Sequence, residues 1–240
     1  MKITNTLHVG TTTLKILVIG ESGAGKTSLA LTIEEPILII SAESGLLPLR
    51  GKSIDVIDLA IDDEGHTVVK EKRMDRLAEA YRYVISPEAR NKYKWIFIDS
   101  LTEISQNLVE KLQVEFPERK DSFVMYGENA KKIRALIKSF RDLPWYNVVF
   151  TALSVIEKDE NNHRYVGVSM VGAMADKVPA YFDEVFYLHV EKDEETGKTK
   201  RMFITEKSDR ITAKDRSGTL NKYEPADLGY VYKKIKGEVK

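Results

Sequence analysis

An apolar, strand-like run, Leu14–Ile19, leads directly into Gly20-Glu21-Ser22-Gly23-Ala24-Gly25-Lys26-Thr27, and a helical pattern, Ser28–Ile33, follows. The stretch fits G-x-x-x-x-G-K-[ST] in full and has the strand–loop–helix context that the motif requires. It demands a sheet strand, a turn tight enough to need glycine, and a helix start directly beneath. Glycines let the chain wrap a polyphosphate with successive N–H groups pointing inward. The helix N-terminus adds its partial positive charge below. Lys26 is then placed to bridge β- and γ-phosphates, and the Thr27 hydroxyl to coordinate Mg²⁺. The expected cofactor-binding set is Gly20, Glu21, Ser22, Gly23, Ala24, Gly25, Lys26, Thr27 and Ser28. The plainer alternative is an ordinary strand–turn–helix with a glycine-rich turn.

Further short apolar runs, rich in Ile and Val, occur at Ile37–Ile40, Val56–Leu59, Trp95–Ile98 and Val148–Phe150. Runs of this length without alternation read as strands buried on both faces of a parallel sheet. Between them, Met74, Leu77, Tyr81 and Val84 recur at helical spacing, as do Leu101, Ile104, Leu108 and Leu112, and Ile133, Ile137 and Phe140. Strands alternating with helices predict an α/β fold, a mainly parallel sheet flanked by helices. Past residue 150, Val185–Val190 and Arg201–Thr205 flank a turn containing Gly197, which reads as a C-terminal antiparallel hairpin added at the sheet edge. No repeat or linker divides the chain, so one domain over 1–240 is expected. Residues 1–13 read as an N-terminal extension, and 207–240 as a polar loop and basic C-terminal tail.

A phosphate loop needs a second metal carboxylate, and Trp95-Ile96-Phe97-Ile98-Asp99 supplies one at the end of an apolar run. Asp99 can hold Mg²⁺ through water opposite Thr27. It can equally cap the helix that follows, and both roles are compatible. A GTPase carries D-x-x-G here, whereas Asp99 is followed by Ser100, Leu101 and Thr102. Glu206-Lys207-Ser208-Asp209 imitates a guanine motif, but it begins with Glu and follows the hairpin strand, so guanine specificity is rejected. Glu43 follows the second apolar run, where a carboxylate faces the ligand crevice of an α/β sheet. It is the candidate base for the water attacking the γ-phosphate, against the alternative of a solvated loop glutamate.

Glu43 in Ala42–Gly45, with Ile96-Phe97-Ile98-Asp99-Ser100, resembles the RecA-type ATPase core. The chain is more narrowly similar to phage-encoded, single-domain RecA-like ATPases of recombination and single-strand annealing. Phe182-Asp183-Glu184-Val185 and Asp209-Arg210 through Lys214-Asp215-Arg216-Ser217-Gly218 also carry that similarity. The resemblance implies Mg²⁺-dependent hydrolysis of ATP, assembly into a homo-oligomeric ring or filament, and action on single-stranded DNA, with a single-strand-binding protein as a further partner. It implies catalytic roles for Glu43 and Lys26. RecA carries a polar Asn-Gln pair after its fifth core strand, where this chain has Phe150-Thr151-Ala152-Leu153-Ser154. Thr151 is thus the candidate γ-phosphate sensor, with Ser154 behind it. The same resemblance points to Lys207, Arg210, Lys214 and Arg216 as cations acting in trans; the alternative is a solvated polar loop. A RecA-like motor with a protein client, or an ATP-gated scaffold with little turnover, remains an open alternative.

Residues 118–141 hold seven basic against three acidic side chains, and Arg119, Lys120, Phe123 and Tyr126 combine cations with aromatics as a stacking groove for nucleic acid does. Residues 156–174, in the place of the DNA-binding loop of RecA-like proteins, add Lys158 and Arg164. Solvated helix faces and core-anchoring aromatics are the plain alternatives. Over all 240 residues, 37 basic side chains balance 37 acidic ones, which argues against coating nucleic acid by bulk charge but leaves room for a local groove. The chain has no cysteine, which excludes disulfides, thiolate zinc and thiol catalysis and fits a reducing compartment. With no secretory segment at the N-terminus, a cytoplasmic location is expected, that of the host cell if the chain is phage-encoded.

Overall fold

All five apolar runs form strands: β1 (Lys15–Gly20), β2 (Ile37–Ser41), β3 (Asp55–Asp58), β4 (Trp95–Asp99) and β5 (Asn147–Lys158). The computed structural model describes residues 13–119, 123–158, 162, 164–172, 174–192 and 197–239. Every residue of β1, β2 and β4 is buried, which explains the lack of polar alternation. Three later strands complete the main sheet: β7 (Glu184–Lys192), β8 (Thr199–Ile204) and β10 (Tyr223–Pro225), after β6 (Arg164–Val168). The order is β10-β8-β7-β1-β5-β4-β2-β3, with the pairs from β7 through β3 parallel and those to β8 and β10 antiparallel. This is the expected α/β class with its antiparallel C-terminal hairpin.

Side chains alternate across the sheet and divide the core in two. Leu17 and Ile19 of β1, with Ile96, Ile98 and Phe150, meet α1 (Lys70–Val84), α3 (Leu101–Glu115) and α4 (Phe123–Arg141) on one face. A short helix, α2 (Pro87–Lys92), starts from a Ser86 cap with proline at its first position. On the other face Ile16, Val18, Ile39 and Phe97 meet a 3₁₀ helix, Thr27–Thr32, and α5 (Leu228–Ile235). No helix among the described residues is long and apolar enough to cross a membrane.

Four features differ from the sequence reading. The hairpin is not appended at an edge: β7 is the parallel neighbour of β1, and β8 and then β10 follow outside it. The 156–174 segment, set in the place of a DNA-binding loop, begins as a hairpin, because β5 runs on and pairs antiparallel with β6 from Ser154↔Val168 to Lys158↔Arg164. The helix after the phosphate loop is six residues of 3₁₀ helix, closed by an extended Ile33 and then Pro36, so its dipole is small. The basic tail is helical over α5, where Leu228, Val231 and Ile235 are buried and Asp227 caps the Tyr230 N–H at 2.8 Å. The helical spacing of those three apolar residues was readable, and the surrounding lysines obscured it. α5 also approaches closely: a side chain at Gly229 would collide with the Thr32 carbonyl, while Leu228 N–H donates to Thr32 Oγ1 at 2.9 Å.

Candidate nucleotide site

The phosphate loop leaves the C-terminal end of β1 in the middle of the sheet, between β5 and β7. Glu21, Ser22 and Gly23 form its exposed rim, and Lys26 is buried. Lys26 Nζ donates to the carbonyls of Gly20 (3.1 Å) and Glu21 (2.8 Å), closing the loop on its own ammonium. Burial lowers the Lys26 pKa, against the opposing pull of Glu43 and Asp99. Thr27 and Ser28, both half-buried, open the 3₁₀ helix, so the nine residues from Gly20 to Ser28 form one continuous cradle. Gly25 has φ +101°, and a Cβ there would lie 3.0 Å from Arg201 Nε. Arg201, on β8, donates from Nε to the Ala24 carbonyl at 2.8 Å. Nothing in the sequence flagged this residue, because its partner is a main-chain oxygen 177 positions away.

Asp99 is not on the strand next to β1; β5 lies between, and that spacing brings three segments together. The Asp99 side chain is almost fully enclosed. Its Oδ2 accepts from Thr27 Oγ1 at 2.6 Å, and its Oδ1 accepts from Thr151 Oγ1. Thr151 is itself buried and level with Val18 of β1. In the β2–β4 ladder Ser41 stands opposite Asp99, and Ala42 N–H donates to the Asp99 carbonyl at 2.6 Å, which delivers Glu43 beside the centre. Ser100 Oγ donates to Glu43 Oε1 and also accepts from Glu103 N–H at the start of α3. So it is Ser100, not Asp99, that caps this helix. Among the described residues no group of three or more His, Asp or Glu forms a metal site alone. One threonine hydroxyl and one carboxylate nevertheless fit Mg²⁺, a hard ion that takes its remaining ligands from water and phosphate.

The four candidate trans cations divide into two pairs. Lys214 begins the short strand β9 (Lys214–Asp215), which pairs with the start of β7. Its Nζ donates to the carbonyls of Pro179 (2.9 Å) and Phe182. Arg216 is ion-paired with Asp183 at 2.6 Å. Glu184, buried and facing Asp215, accepts from Ser217 N–H on Oε1. Burial, then the Asp215 charge, pushes the Glu184 pKa up to about 8. Burial alone would also raise Asp215, but donation from Ser217, Leu220 and Gly218 outweighs it and holds that carboxyl low. The two sequence stretches around 183 and 215 therefore form one knot. Lys207 and Arg210, by contrast, are exposed on the loop between β8 and β9, with no ion pair among the described residues. That loop is tied to β6 by Val166 N–H to the Arg210 carbonyl (2.7 Å) and Thr212 N–H to the Val166 carbonyl (3.1 Å).

Of the candidate nucleic-acid residues, Lys158 and Arg164 face each other, exposed, at the outer end of the β5–β6 hairpin. Phe123 is 93% exposed at the start of α4, whereas Tyr126 packs against the core. Arg119 ends a 3₁₀ turn, and Lys120 lies outside the described residues. Much of the basic character of α4 is neutralised locally: Lys131 pairs with Glu128, Lys132 with Glu115, and Arg141 with Asp142. A mixed-charge cleft of about 1490 Å³ lies between the hairpin and the 205–220 segment, lined by Lys158, Tyr165, Asp176, Lys207, Asp209 and Lys214 among others.

The family described as AAA domain (AAA_24) matches residues 12–217. No curated protein matches the chain. Among solved structures, the chain is similar to a KaiC-like protein from the hyperthermophilic archaeon Pyrococcus horikoshii OT3, at 17% identity over 80% of this chain and 77% of that one, with a TM-score of 0.42. It is also similar to a prototypical ATPase from the type III secretion system of pathogenic bacteria, at 18% identity over 73% of this chain and 51% of that one, with a TM-score of 0.48.

Proposed function

The chain belongs to the AAA domain family, and from that premise we propose that it is a P-loop ATPase with a RecA-like core that hydrolyses ATP with Mg²⁺ while acting as a homo-oligomer on single-stranded DNA. One observation carries the hydrolytic part: the Thr27 and Thr151 hydroxyls converge on the two oxygens of Asp99, with Glu43 held alongside by Ser100. Lys26 exchanges the Gly20 and Glu21 carbonyls for phosphate oxygens, so its ammonium is already desolvated where the anion arrives. Thr27 and Asp99 would hold Mg²⁺, whose role is to neutralise charge on the β- and γ-phosphates. Glu43 orients the attacking water and takes its proton. Thr151 stands where the state of the Asp99 centre can be passed along β5 to the projecting hairpin.

The DNA part rests on the resemblance to phage recombination ATPases and on that hairpin, where Lys158 and Arg164 are exposed beside the ATP site's own strand. Lys207 and Arg210 are the cations available to a neighbouring subunit, since Lys214 and Arg216 are engaged within the chain. A protein client is the second reading, favoured by the mixed charge of the cleft beneath the hairpin. Steady-state ATP hydrolysis, with and without Mg²⁺ and single-stranded DNA, tests the proposal. DNA stimulation is expected, and Glu43→Gln should retain ATP binding while turnover drops roughly 10²–10⁴-fold. Wild-type turnover in Glu43→Gln removes the base assignment, and turnover indifferent to DNA leaves the protein client.

A further inference from the structure

We infer that Arg201 is a positioning residue of the nucleotide site, supplied by the C-terminal hairpin of the same chain, and that it strengthens binding of the polyphosphate through the crown of the phosphate loop. The inference rests on the nucleotide reading of that loop. β7 runs alongside β1 with Ile19 opposite Tyr187, then continues past the end of β1, and Val190 on this overhang stands opposite Arg201 on β8. The hairpin therefore reaches over the loop from the side opposite Asp99, since β7 and β5 flank β1 on different sides.

At that height Arg201 Nε donates to the Ala24 carbonyl at 2.8 Å, and its side chain covers Gly25 closely enough that a methyl there would touch Nε. A guanidinium carries five donors, and among the described residues Nε is the one with an acceptor. Arg201 is exposed, and among the described residues no carboxylate neutralises it. An arginine on an open hairpin has no need of a main-chain carbonyl in place of water. Its use here fixes the Ala24–Gly25 peptide, and with it the direction of the N–H groups that follow toward Thr27. It also holds a positive charge at the rim of an anion cradle whose own lysine is turned onto loop carbonyls. The cation is in cis and present before any assembly, unlike those expected from a neighbour.

The test compares Arg201→Ala, Arg201→Gln and Arg201→Lys in the full chain, with ADP–Mg²⁺ affinity by calorimetry, ATP kinetics, and thermal unfolding without nucleotide. For Ala and Gln we expect about a tenfold weaker affinity and a matching rise in KM, with kcat reduced less than about threefold, as for an interaction made equally in ground and transition states. The loss should shrink at high salt, because the site is open to solvent. Lysine should restore part of the affinity. Wild-type affinity in Arg201→Ala overturns the inference, as does a loss of nucleotide-free stability with no change in affinity. Lys26→Ala separates the two readings. If wild type and Lys26→Ala bind nucleotide alike, the nucleotide reading itself falls. If Lys26→Ala loses binding and Arg201→Ala does not, only the role of Arg201 falls.

Discussion

The two ends of β1 pose the same chemical problem and solve it alike, yet only one end is the proposed nucleotide site. At the start, Lys15 is buried, with Nζ donating to the carbonyls of Leu143 (2.8 Å) and Tyr146 (2.5 Å). Just past the other end, buried Lys26 donates to the carbonyls of Gly20 and Glu21. Burial depresses both ammonium groups, Lys15 to about 8. The difference lies in what surrounds them. The Lys15 carbonyls belong to the α4–β5 connection, and the neighbouring charges are Asp183 and Asp142, which hold the cation where it is. The Lys26 carbonyls belong to a glycine-rich loop with positive φ at Gly23 and Gly25, open on its rim. A lysine seated on carbonyls is thus a brace where no anion can reach it, and a receptor where one can.

The largest expected effect separates these two roles outright. Lys26→Met should weaken ADP–Mg²⁺ binding by roughly a hundredfold or more, the scale of one or two charge-assisted hydrogen bonds, while nucleotide-free stability barely changes. Calorimetric titration and thermal unfolding of the same preparation would check both halves. Lys15→Met should do the reverse. Leaving two enclosed carbonyls without a donor costs about 1–3 kcal/mol in denaturant unfolding, with nucleotide affinity kept. If Lys15→Met weakened nucleotide binding as much as Lys26→Met, the contrast between the two ends would be wrong.

A smaller effect lies in the pH dependence of stability. Glu184 holds its proton in the folded state up to about pH 8, against an ordinary value of 4.5, so the unfolded chain binds fewer protons between those values and stability falls as pH rises across them. Lys15 behaves oppositely: its folded value of about 8 lies below the ordinary 10.5, so the unfolded chain binds more protons there and stability climbs from pH 8 toward 10.5. Urea midpoints across pH 5–10 should therefore show Glu184→Gln flattening the lower limb and Lys15→Met the upper limb. An unaltered lower limb in Glu184→Gln would mean that the carboxyl is not held protonated.

The same contrast bears on what the sequence could reveal. β1–β5, α1, α3 and most of α4 were legible because burial on both faces of a parallel sheet leaves apolar runs, and burial on one face of a helix leaves a 3.6-residue period. Gly20–Ser28, Asp99 and Glu43 were legible because each is a side chain, or a glycine, at a fixed place relative to a strand end. Lys15, Arg201 and the hold of Lys214 on the Pro179 and Phe182 carbonyls were not, because a cation bound to main-chain oxygen leaves no partner residue to recognise. β6 and β10 were hidden differently. Each is short and pairs at an edge, where exposure mixes polar and apolar residues. The nucleic-acid candidates were only partly legible. A count of charges along 118–141 cannot tell which basic side chains meet Glu115, Glu128 or Asp142 and are neutralised there.

The packing of α5 onto the 3₁₀ helix sets an order of events during synthesis. Leu228 N–H meets Thr32 across 196 residues, and β1 finds its two neighbours 133 and 168 positions downstream, as in Lys15↔Val148 and Ile16↔Glu184. A ribosome therefore releases the phosphate loop long before the strands that flank β1 or the helix that covers the 3₁₀ helix exist. Such distant pairings form slowly, since the chain must close long loops before the contacts reward it. Until residues 228–235 have emerged, the apolar surface around Leu29 and Ala30 has no lid, and a nascent chain stalled short of α5 should be a preferred substrate for chaperones.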